Sequence, residues 1–451
     1  MTIHEALEPQ VDQLFAEWNR SDSPGAALAV IRDSKIIYKR GYGMANLEYD
    51  IPITTTIIFD IASISKQFAG FAIATLLDEG MLSLDDDIRI HLPDVPDFGS
   101  IITIRHLLHH TSGLRDWSQA LIIAGSEMDD VISFKHILKM VRHQKALNFE
   151  PGTAFSYTNT GYNLLAEIVE TVTGDSFRQW TDTNIFKPLA MTNTHFHDDH
   201  EMILKNRAYS YLSVENGGFK NAVNNLTALG SSSLYSTVED LAKWIMNFDT
   251  PHIGGRTVLE QMHERGVLNS GEQTDYAFGL HISEYRGLKM VEHGGAWRGF
   301  RSHVVRFPDQ KFGVVILSNL DTFPFSLTEE VIKLYLADAL DPEKSEPDTA
   351  AEPTEENGFK PLAPEQLTEF KGNYYTEELD TTYTIDVRGD QLVAQHIRHD
   401  DILLTYTDGH FVGDAWFFPE VHFTRDGTRR VTGFRLTGGR VRNLHFQKKA
   451  H

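Results

Sequence analysis

The chain has 451 residues, and none of them is cysteine. A disulfide framework, a cysteine nucleophile and a thiolate metal or iron–sulfur site are therefore excluded. The chain also lacks an apolar run of the roughly 18 to 20 residues that a membrane-spanning helix needs. Basic residues are few beside acidic ones, 41 Lys and Arg against 63 Asp and Glu, which gives a formal net charge of −22. Because an acidic surface repels phosphate backbones, nucleic acid is not an expected partner.

The first fifteen residues lack the pattern of a secretory signal peptide. Glu5, Glu8 and Asp12 fall at helical spacing, and the segment has no apolar run. We therefore expect a cytoplasmic protein, or a periplasmic or secreted one if a leader was removed before the numbering begins.

Apolar hairpins stand near both ends of the first 340 residues. The first joins residues 26–31 to 35–43, and the second joins 302–307 to 312–318. Between them, apolar spacing predicts helices over residues 63–79, 104–109, 131–144, 162–173 and 238–248. This order predicts an α/β (α+β) domain over residues 1–340, in which an antiparallel sheet is flanked by helices and packs against an all-helical subdomain.

The composition changes after residue 340. Residues 341–358 hold seven acidic residues, one Lys and three Pro, which is typical of a solvated linker. Residues 359–451 then alternate short apolar segments with Gly-containing turns, which predicts a small eight-stranded β-barrel. Its predicted strands lie near residues 374–375, 382–387, 391–397, 402–406, 415–418, 421–424, 431–436 and 441–446.

The strongest catalytic pattern is Ser63-Ile64-Ser65-Lys66, which opens an apolar helix. Lys66 then lies one turn after Ser63 on the same face, where its ammonium reaches the Ser63 hydroxyl. The positive end of the helix dipole and burial both favour loss of the Lys66 proton, so that it could act as a base. The same spacing also occurs at solvated helix starts.

Two further segments carry groups suited to acyl transfer. Tyr157-Thr158-Asn159 follows a Pro- and Gly-containing loop, and a phenol of lowered pKa beside a lysine can relay protons. A core tyrosine is the alternative for Tyr157. Later in the chain, His293-Gly294-Gly295-Ala296 precedes the second hairpin. Its glycines permit close approach of a substrate, and the Ala296 amide could join that of Ser63 as an oxyanion hole.

Taken in order, these elements resemble those of the penicillin-binding and class C β-lactamase-like serine hydrolases. That family carries Ser-x-x-Lys, then Tyr-x-Asn or Tyr-x-Ser, then Lys-Thr-Gly or His-x-Gly. The resemblance extends over about residues 8–340 through the framework stretches 103–114, 230–244 and 276–280. The linker and small barrel resemble the CubicO-type and D-aminopeptidase-like members, whose tails are lipocalin-like.

The resemblance implies a role for each matching residue. Ser63 would be the acylated nucleophile, and Lys66 and Tyr157 the proton-transfer pair. Asn159 would donate to the acyl-side amide of the substrate. His293 would take the third-element position, with Gly295 and Ala296 along the oxyanion edge.

One position departs from the β-lactamase pattern, because His293 stands where that branch has lysine. A neutral histidine supplies no fixed positive charge for a carboxylate, which favours the D-aminopeptidase or esterase-like branches. Arg298 or Arg301 could supply the charge, or be surface arginines. Trp297, with Phe300, could shape the pocket or pack in the core.

No metal or cofactor is expected. His195-Phe196-His197-Asp198-Asp199-His200 matches a metallo-hydrolase signature, but a solvated acidic loop is the preferred interpretation. His106 and His110 lack the intervening Glu of a zincin helix and are interpreted as structural.

The sequence therefore predicts a serine hydrolase that acts through an acyl-enzyme on small amides, peptides containing D-residues or short esters. β-Lactamase or D,D-carboxypeptidase activity is the alternative. A non-catalytic penicillin-binding protein, or a sensor whose barrel binds a lipophilic ligand, is an alternative of another class. The expected partners are a small-molecule or peptide substrate and, through the barrel, further copies of the chain.

Overall fold

The computed structural model describes residues 3–342 and 362–449. The predicted linker 341–358 lies outside the described residues, apart from its first two positions. Helices occur in both parts of the described chain, and none of them is long and apolar enough to cross a membrane. Their bounds are Ile3–Leu14, Lys66–Asp78, Ile104–Leu108, Trp117–Ile123, Phe134–His143, Asn159–Thr173, Phe177–Thr181, Val238–Asp249, Gly255–Gln261, Ser326–Leu336 and Pro364–Leu367.

A six-stranded antiparallel sheet forms the centre of the first part, as the two apolar hairpins predicted. Its strands in spatial order are His281–Tyr285, Leu288–Trp297, Phe300–Phe307, Phe312–Ser318, Ala26–Arg32 and Lys35–Tyr42. The first hairpin pairs with the second through Ala26 opposite Ser318 and Val30 opposite Val314. Two strands in the middle of the sheet that are almost 300 residues apart in sequence are therefore hydrogen-bonded neighbours.

Both faces of this sheet are covered, which explains why the strand Ala26–Arg32 is almost continuously apolar. Leu28 and Val30 pack in the same cluster as Val11 of the first helix and Val331 of the helix Ser326–Leu336. The alternate residues, Ala27, Ala29 and Ile31, belong to the larger core. This core lies on the side of the helical region, residues 66–261, which holds the helices from Lys66–Asp78 to Gly255–Gln261. Side chains alternate across a strand, so a strand buried on both faces needs apolar residues at every position.

Smaller strands attach loops around the helical region. They are Met44–Asn46 with Ile51–Pro52, Phe59–Asp60 and His195–Phe196 on either side of Leu234–Ser236, and Ser210–Ser213 with Phe219–Ala222. The pairing of Phe59 with Ser236 and Asp60 with Tyr235 anchors the chain just before Ser63.

The C-terminal part is a closed barrel of eight antiparallel strands, as predicted. The strands are Gly372–Thr376, Thr381–Arg388, Gln391–His396, His399–Thr407, His410–Gly413, Glu420–Arg425, Val431–Gly438 and Val441–Lys448. The predicted strand at residues 415–418 is wrong, because the fifth strand is His410–Gly413. Residues 415–418 form a turn closed by the Phe418 amide on the Ala415 carbonyl at 2.9 Å, and the Phe418 side chain is buried.

Aromatic side chains fill the barrel interior. Phe434 stacks on Phe446 with ring centroids 4.5 Å apart, and Tyr383 lies 4.7 Å from Phe418. Phe370 comes from the short helical segment that precedes the first barrel strand, and its ring centroid lies 4.5 Å from that of Phe423. The interior is therefore a packed aromatic core.

Candidate active site

Ser63 lies in a tight helical turn, Ala62–Ser65, directly before the helix Lys66–Asp78. Ala62 adopts a left-handed backbone conformation with φ +48°, and its amide donates to Asp60 Oδ1 at 2.8 Å. Side chains three residues apart eclipse in a 3₁₀ turn, so Ser63 and Lys66 point the same way. Strained backbone of this kind persists where surrounding contacts hold it, and it is common at active sites.

Lys66 is fully buried and has three polar neighbours. Its Nζ lies 3.1 Å from Ser63 Oγ, 2.8 Å from Asn159 Oδ1 and 2.9 Å from the Ser231 carbonyl. Two of these neighbours, the amide oxygen and the carbonyl, can only accept a hydrogen bond. A neutral amine donates its two N–H groups to them and directs its lone pair at the Ser63 hydroxyl, which is the arrangement of a general base.

The charge environment favours that neutral amine. Burial lowers the pKa of Lys66 well below its ordinary value; the Asp116 carboxylate works against this shift, and the Arg440 cation adds to it. Desolvation is the largest of the three causes, since a buried ammonium loses its hydration.

Tyr157 joins the same group from the other side. Its phenol lines the same cavity as Ser63, and Lys66 Nζ lies 4.8 Å from the centroid of its ring. Burial raises the pKa of the Tyr157 phenol, so the expectation of a lowered phenol pKa is wrong. The phenol keeps its proton at neutral pH, which suits it to give a proton rather than to take one first.

The framework stretch around His110 and Asp116 holds the Tyr157–Asn159 segment in place. The Thr158 amide donates to His110 Nδ1 at 3.2 Å, and the Asn159 amide donates to Asp116 Oδ2 at 2.6 Å. Burial lowers the pKa of His110 well below its ordinary value, so the imidazole is neutral and free to accept. His110 is therefore structural, as interpreted from the sequence, because it fixes the backbone of the Tyr157–Asn159 segment.

His293 lies on the strand Leu288–Trp297 and is a neutral imidazole. Its Nδ1 donates to the Gly294 carbonyl at 2.6 Å, and its Nε2 accepts from the Tyr276 hydroxyl at 2.9 Å. Burial and the nearby Lys66 lower the pKa of His293 to about 3. His293 therefore brings no positive charge to the site.

Gly295 lets this strand approach the turn that carries Ser63. A Cβ at Gly295 would lie 2.2 Å from Ser302 Oγ and 2.4 Å from the Ile61 carbonyl oxygen. The Ser302 hydroxyl already donates to that carbonyl at 2.7 Å and fixes the contact. Ala296 follows directly at the edge of the site and is exposed.

The sequence-predicted residues other than Lys66, which is buried behind Ser63, line one cavity of about 500 Å³. Trp297 forms one wall; its indole donates to Asn224 Oδ1 at 3.0 Å, and its ring lies 5.9 Å from that of Trp117. The wall also includes Arg440, a residue of the barrel. The predicted residues that line the cavity are Ser63, Tyr157, Asn159, His293, Gly295, Ala296 and Trp297.

The chain matches the Beta-lactamase family model over residues 11–337. It belongs to the beta-lactamase family. Over 341 residues it is 28% identical to a D-aminopeptidase of Gluconobacter oxydans, an alignment that covers 75% of this chain and 63% of that enzyme. The chain thus spans less than two thirds of the length of this curated relative.

Two solved structures have the same fold. The octameric penicillin-binding protein homologue from Pyrococcus abyssi has a TM-score of 0.66 and 24% identity, with all of both chains covered. The D-amino acid amidase from Ochrobactrum anthropi, solved with L-phenylalanine amide, has a TM-score of 0.62 and 23% identity over 75% of this chain and 99% of that one. The likeness to the first structure includes the C-terminal part of this chain.

The family pattern leaves the source of a positive charge open, and neither arginine suggested by the sequence lines the cavity. Arg298 Nη2 lies 3.6 Å from Asp129 Oδ2, and Arg301 Nη1 donates to the Phe300 carbonyl at 2.9 Å. Phe300 itself is buried against Phe59 and packs in the core.

The predicted solvated acidic loop is confirmed for Asp198 and Asp199, which are exposed and outside any strand, and is wrong for the first half of the histidine-rich stretch. Its first two residues form a short strand against Leu234 and Tyr235, and burial lowers the pKa of His195 and of His197 to about 4. Within residues 3–342 and 362–449, no three His, Asp or Glu side chains are grouped as metal ligands.

Sequence reasoning missed Asp116, Tyr276 and Arg440. Asp116 had a local signal, since an Asp before an apolar helix is a typical N-cap, and its side chain does accept from the Ser118 amide. Arg440 had none, because its position in the cavity depends on how the barrel packs against the helical region.

Proposed function

We propose that the protein is a serine hydrolase that works through an acyl-enzyme on small amides, peptides containing D-residues or short esters. The observation that carries the proposal is the buried Lys66 amine, which has two acceptors for its N–H groups and the Ser63 hydroxyl for its lone pair. The names of the D-aminopeptidase and the D-amino acid amidase support this substrate class.

The proposed reaction moves one proton in a cycle. Lys66 takes the proton of Ser63 as Ser63 Oγ attacks the carbonyl carbon, and the amides of Ser63 and Ala296 stabilise the oxyanion. Tyr157 gives its proton to the leaving amine or alkoxide, and Lys66 returns a proton to Tyr157. Water then attacks the acyl carbon and gives a proton to the pair of Lys66 and Tyr157. The pair passes this proton to Ser63 Oγ as the bond between Oγ and the acyl carbon breaks, which restores the serine. The raised pKa of Tyr157 supports Lys66, rather than the phenol, as the first base.

A substrate panel tests the proposal. D- and L-aminoacyl nitroanilides, p-nitrophenyl acetate and nitrocefin are assayed with wild type, Ser63→Ala, Lys66→Ala and Tyr157→Phe. We expect turnover of at least one amide or ester that disappears in Ser63→Ala and falls by about 10²–10⁴-fold in the other two variants. Turnover that is unchanged in Ser63→Ala would refute the proposal, and ligand binding by wild type without turnover would favour a sensor.

The aromatic core of the barrel argues against the lipophilic-ligand sensor, because the interior is occupied by side chains.

We also propose that copies of the chain assemble through the barrel, and the octameric homologue from Pyrococcus abyssi supports this. The molecular mass in solution tests it: a mass of one 51.0 kDa chain at all concentrations would refute it.

A further inference from the structure

Arg440 extends from the barrel into the wall of the catalytic cavity. It lies in the turn between the last two barrel strands, Val431–Gly438 and Val441–Lys448. Its guanidinium carbon lies 4.9 Å from the centroid of the Tyr157 ring, and Nη1 lies 3.8 Å from Asp116 Oδ2. The barrel therefore places a cation beside the ring of Tyr157, in the cavity that Ser63 also lines.

The backbone of Arg440 is fixed by the helical region. Its amide donates to Gln119 Oε1 at 2.8 Å, and its carbonyl accepts from Asn148 Nδ2 at 2.9 Å and from the Asp116 amide at 3.2 Å. Gln119 Nε2 donates in turn to the Gly438 carbonyl at 3.1 Å. The turn is thus pre-organised at the cavity, and a ligand would not have to order it.

The side chain, in contrast, has unused donors. It is 44% exposed, and the 3.8 Å separation from Asp116 is longer than a hydrogen bond. Within the described part of the chain, the guanidinium makes only this long ion pair and the contact with Tyr157. A planar guanidinium with five N–H donors is the side chain best suited to bind a carboxylate through two parallel hydrogen bonds.

The other groups that face the cavity leave Arg440 as its defining charge. Among the described residues that line the cavity, it is the one Asp, Glu, Lys or Arg. Burial lowers the pKa of both His281 and His293, so the two histidines of the cavity are neutral. Asp116, the nearest carboxylate, is fully buried beneath the wall and already accepts from the Asn159 amide.

We propose that Arg440 is a specificity-determining residue that the barrel contributes to the active site, where its guanidinium binds a carboxylate of the substrate. The proposal rests on the proposed hydrolase function and names its substrate class: amides and peptides that carry a free carboxylate close to the scissile bond. A substrate with a free ammonium at the same place meets a like charge and no carboxylate in the cavity wall. The cavity therefore favours an anionic substrate, although the chain as a whole carries a formal net charge of −22.

Matched substrates test both sides of the scissile bond. On the acyl side, glutaryl, valeryl and 4-aminobutyryl p-nitroanilides differ only in an anionic, neutral or cationic end. On the leaving side, N-acetyl-D-alanyl-D-alanine is compared with its C-terminal amide. Each compound is measured as a substrate and as a competitive inhibitor of p-nitrophenyl acetate hydrolysis, so that a slowly cleaved compound still reports its affinity.

The variants are Arg440→Gln, Arg440→Lys and the control Arg442→Gln. Arg442 lies two residues later on the strand Val441–Lys448; its guanidinium carbon lies 6.0 Å from the centroid of the Phe149 ring, and it does not line the cavity. We expect wild type to prefer the anionic member of at least one pair by about tenfold or more, the usual worth of a hydrogen-bonded charge. Arg440→Gln should bring this ratio close to one, Arg440→Lys should keep part of it, and Arg442→Gln should keep all of it.

The outcomes separate the two proposals. No preference for the anion in wild type, a preference for the cation, or an unchanged ratio in Arg440→Gln would overturn the role of Arg440 while Ser63-dependent hydrolysis stands. Hydrolysis that persists in Ser63→Ala would instead overturn the hydrolase function. Thermal melting of each variant verifies folding, and the preference of wild type needs no variant at all.

Discussion

At the scale of single residues, the proposed chemistry depends on the charge state of Lys66. Burial removes the hydration of its ammonium, and the acceptors around Nζ are matched to a neutral amine. Two charged neighbours adjust this state in opposite directions: the anion Asp116 raises the pKa of Lys66, and the cation Arg440 lowers it. The pKa of Lys66 thus depends on one charged residue of the helical region and one of the barrel.

These opposite effects predict opposite changes in the pH profile. Lys66 must be deprotonated to accept the Ser63 proton, so kcat/KM for a neutral ester rises with pH through the pKa of Lys66. Arg440→Gln removes a cation and should move this acidic limb to higher pH. Asp116→Asn removes an anion and should move it to lower pH. Profiles of kcat/KM against pH for the three proteins test the prediction, and shifts in the same direction would contradict it.

At the scale of elements, the site depends on one close contact between the strand Leu288–Trp297 and the turn Ala62–Ser65. Neither Gly294 nor Gly295 has a left-handed backbone, so their importance is a matter of space. A Cβ at Gly294 would have its nearest neighbour at 3.6 Å, which is an ordinary contact, whereas a Cβ at Gly295 would lie 2.4 Å from the Ile61 carbonyl oxygen. The two adjacent glycines therefore form a natural matched pair.

Gly295→Ala should push the strand away from the serine turn and separate the Ala296 amide from that of Ser63. Loss of one oxyanion donor lowers kcat by about 10²–10³-fold. Gly294→Ala should stay within a few-fold of wild type. Steady-state kinetics on a neutral ester measures both, and equal effects of the two substitutions would argue against the close contact as the reason for Gly295.

At the scale of the whole molecule, a buried ion pair joins the barrel to the helical region. Arg115 Nε donates to Glu378 Oε1 at 2.5 Å, with the two side chains 1% and 7% exposed. Arg115 also donates to Asn148 and to the Arg442 carbonyl, and Tyr383 of the barrel donates to the Ile123 carbonyl at 2.9 Å. This interface fixes the barrel turn at the cavity.

Glu378→Gln should leave the charge of Arg115 buried without a counter-ion and lower the free energy of unfolding by about 3–5 kcal/mol. The control is Asp386→Asn, which breaks an ion pair with Lys371 in which both side chains are 49% exposed. An exposed pair contributes about 0–1 kcal/mol. Urea unfolding followed by circular dichroism compares the two, and a similar small effect at both positions would contradict a stabilising role for the buried pair.

Local patterns predicted much of this architecture. The Ser63–Lys66 spacing, the two apolar hairpins and seven of the eight barrel strands are visible because each depends on residues close in sequence. The strand placed at residues 415–418 was wrong, because buried Phe418 resembles a strand residue although it sits in a turn. The raised pKa of Tyr157 and the position of Arg440 depend on burial and on packing between distant segments, which local spacing does not contain.

The central claim is that Ser63 is the nucleophile, and covalent labelling tests it most directly. A fluorophosphonate probe is reacted with the folded full chain, and the modified peptide is identified by tandem mass spectrometry. We predict a single adduct on Ser63 that is absent in Ser63→Ala and strongly slowed in Lys66→Ala. An adduct on another serine, or full labelling of folded Ser63→Ala, would contradict the account.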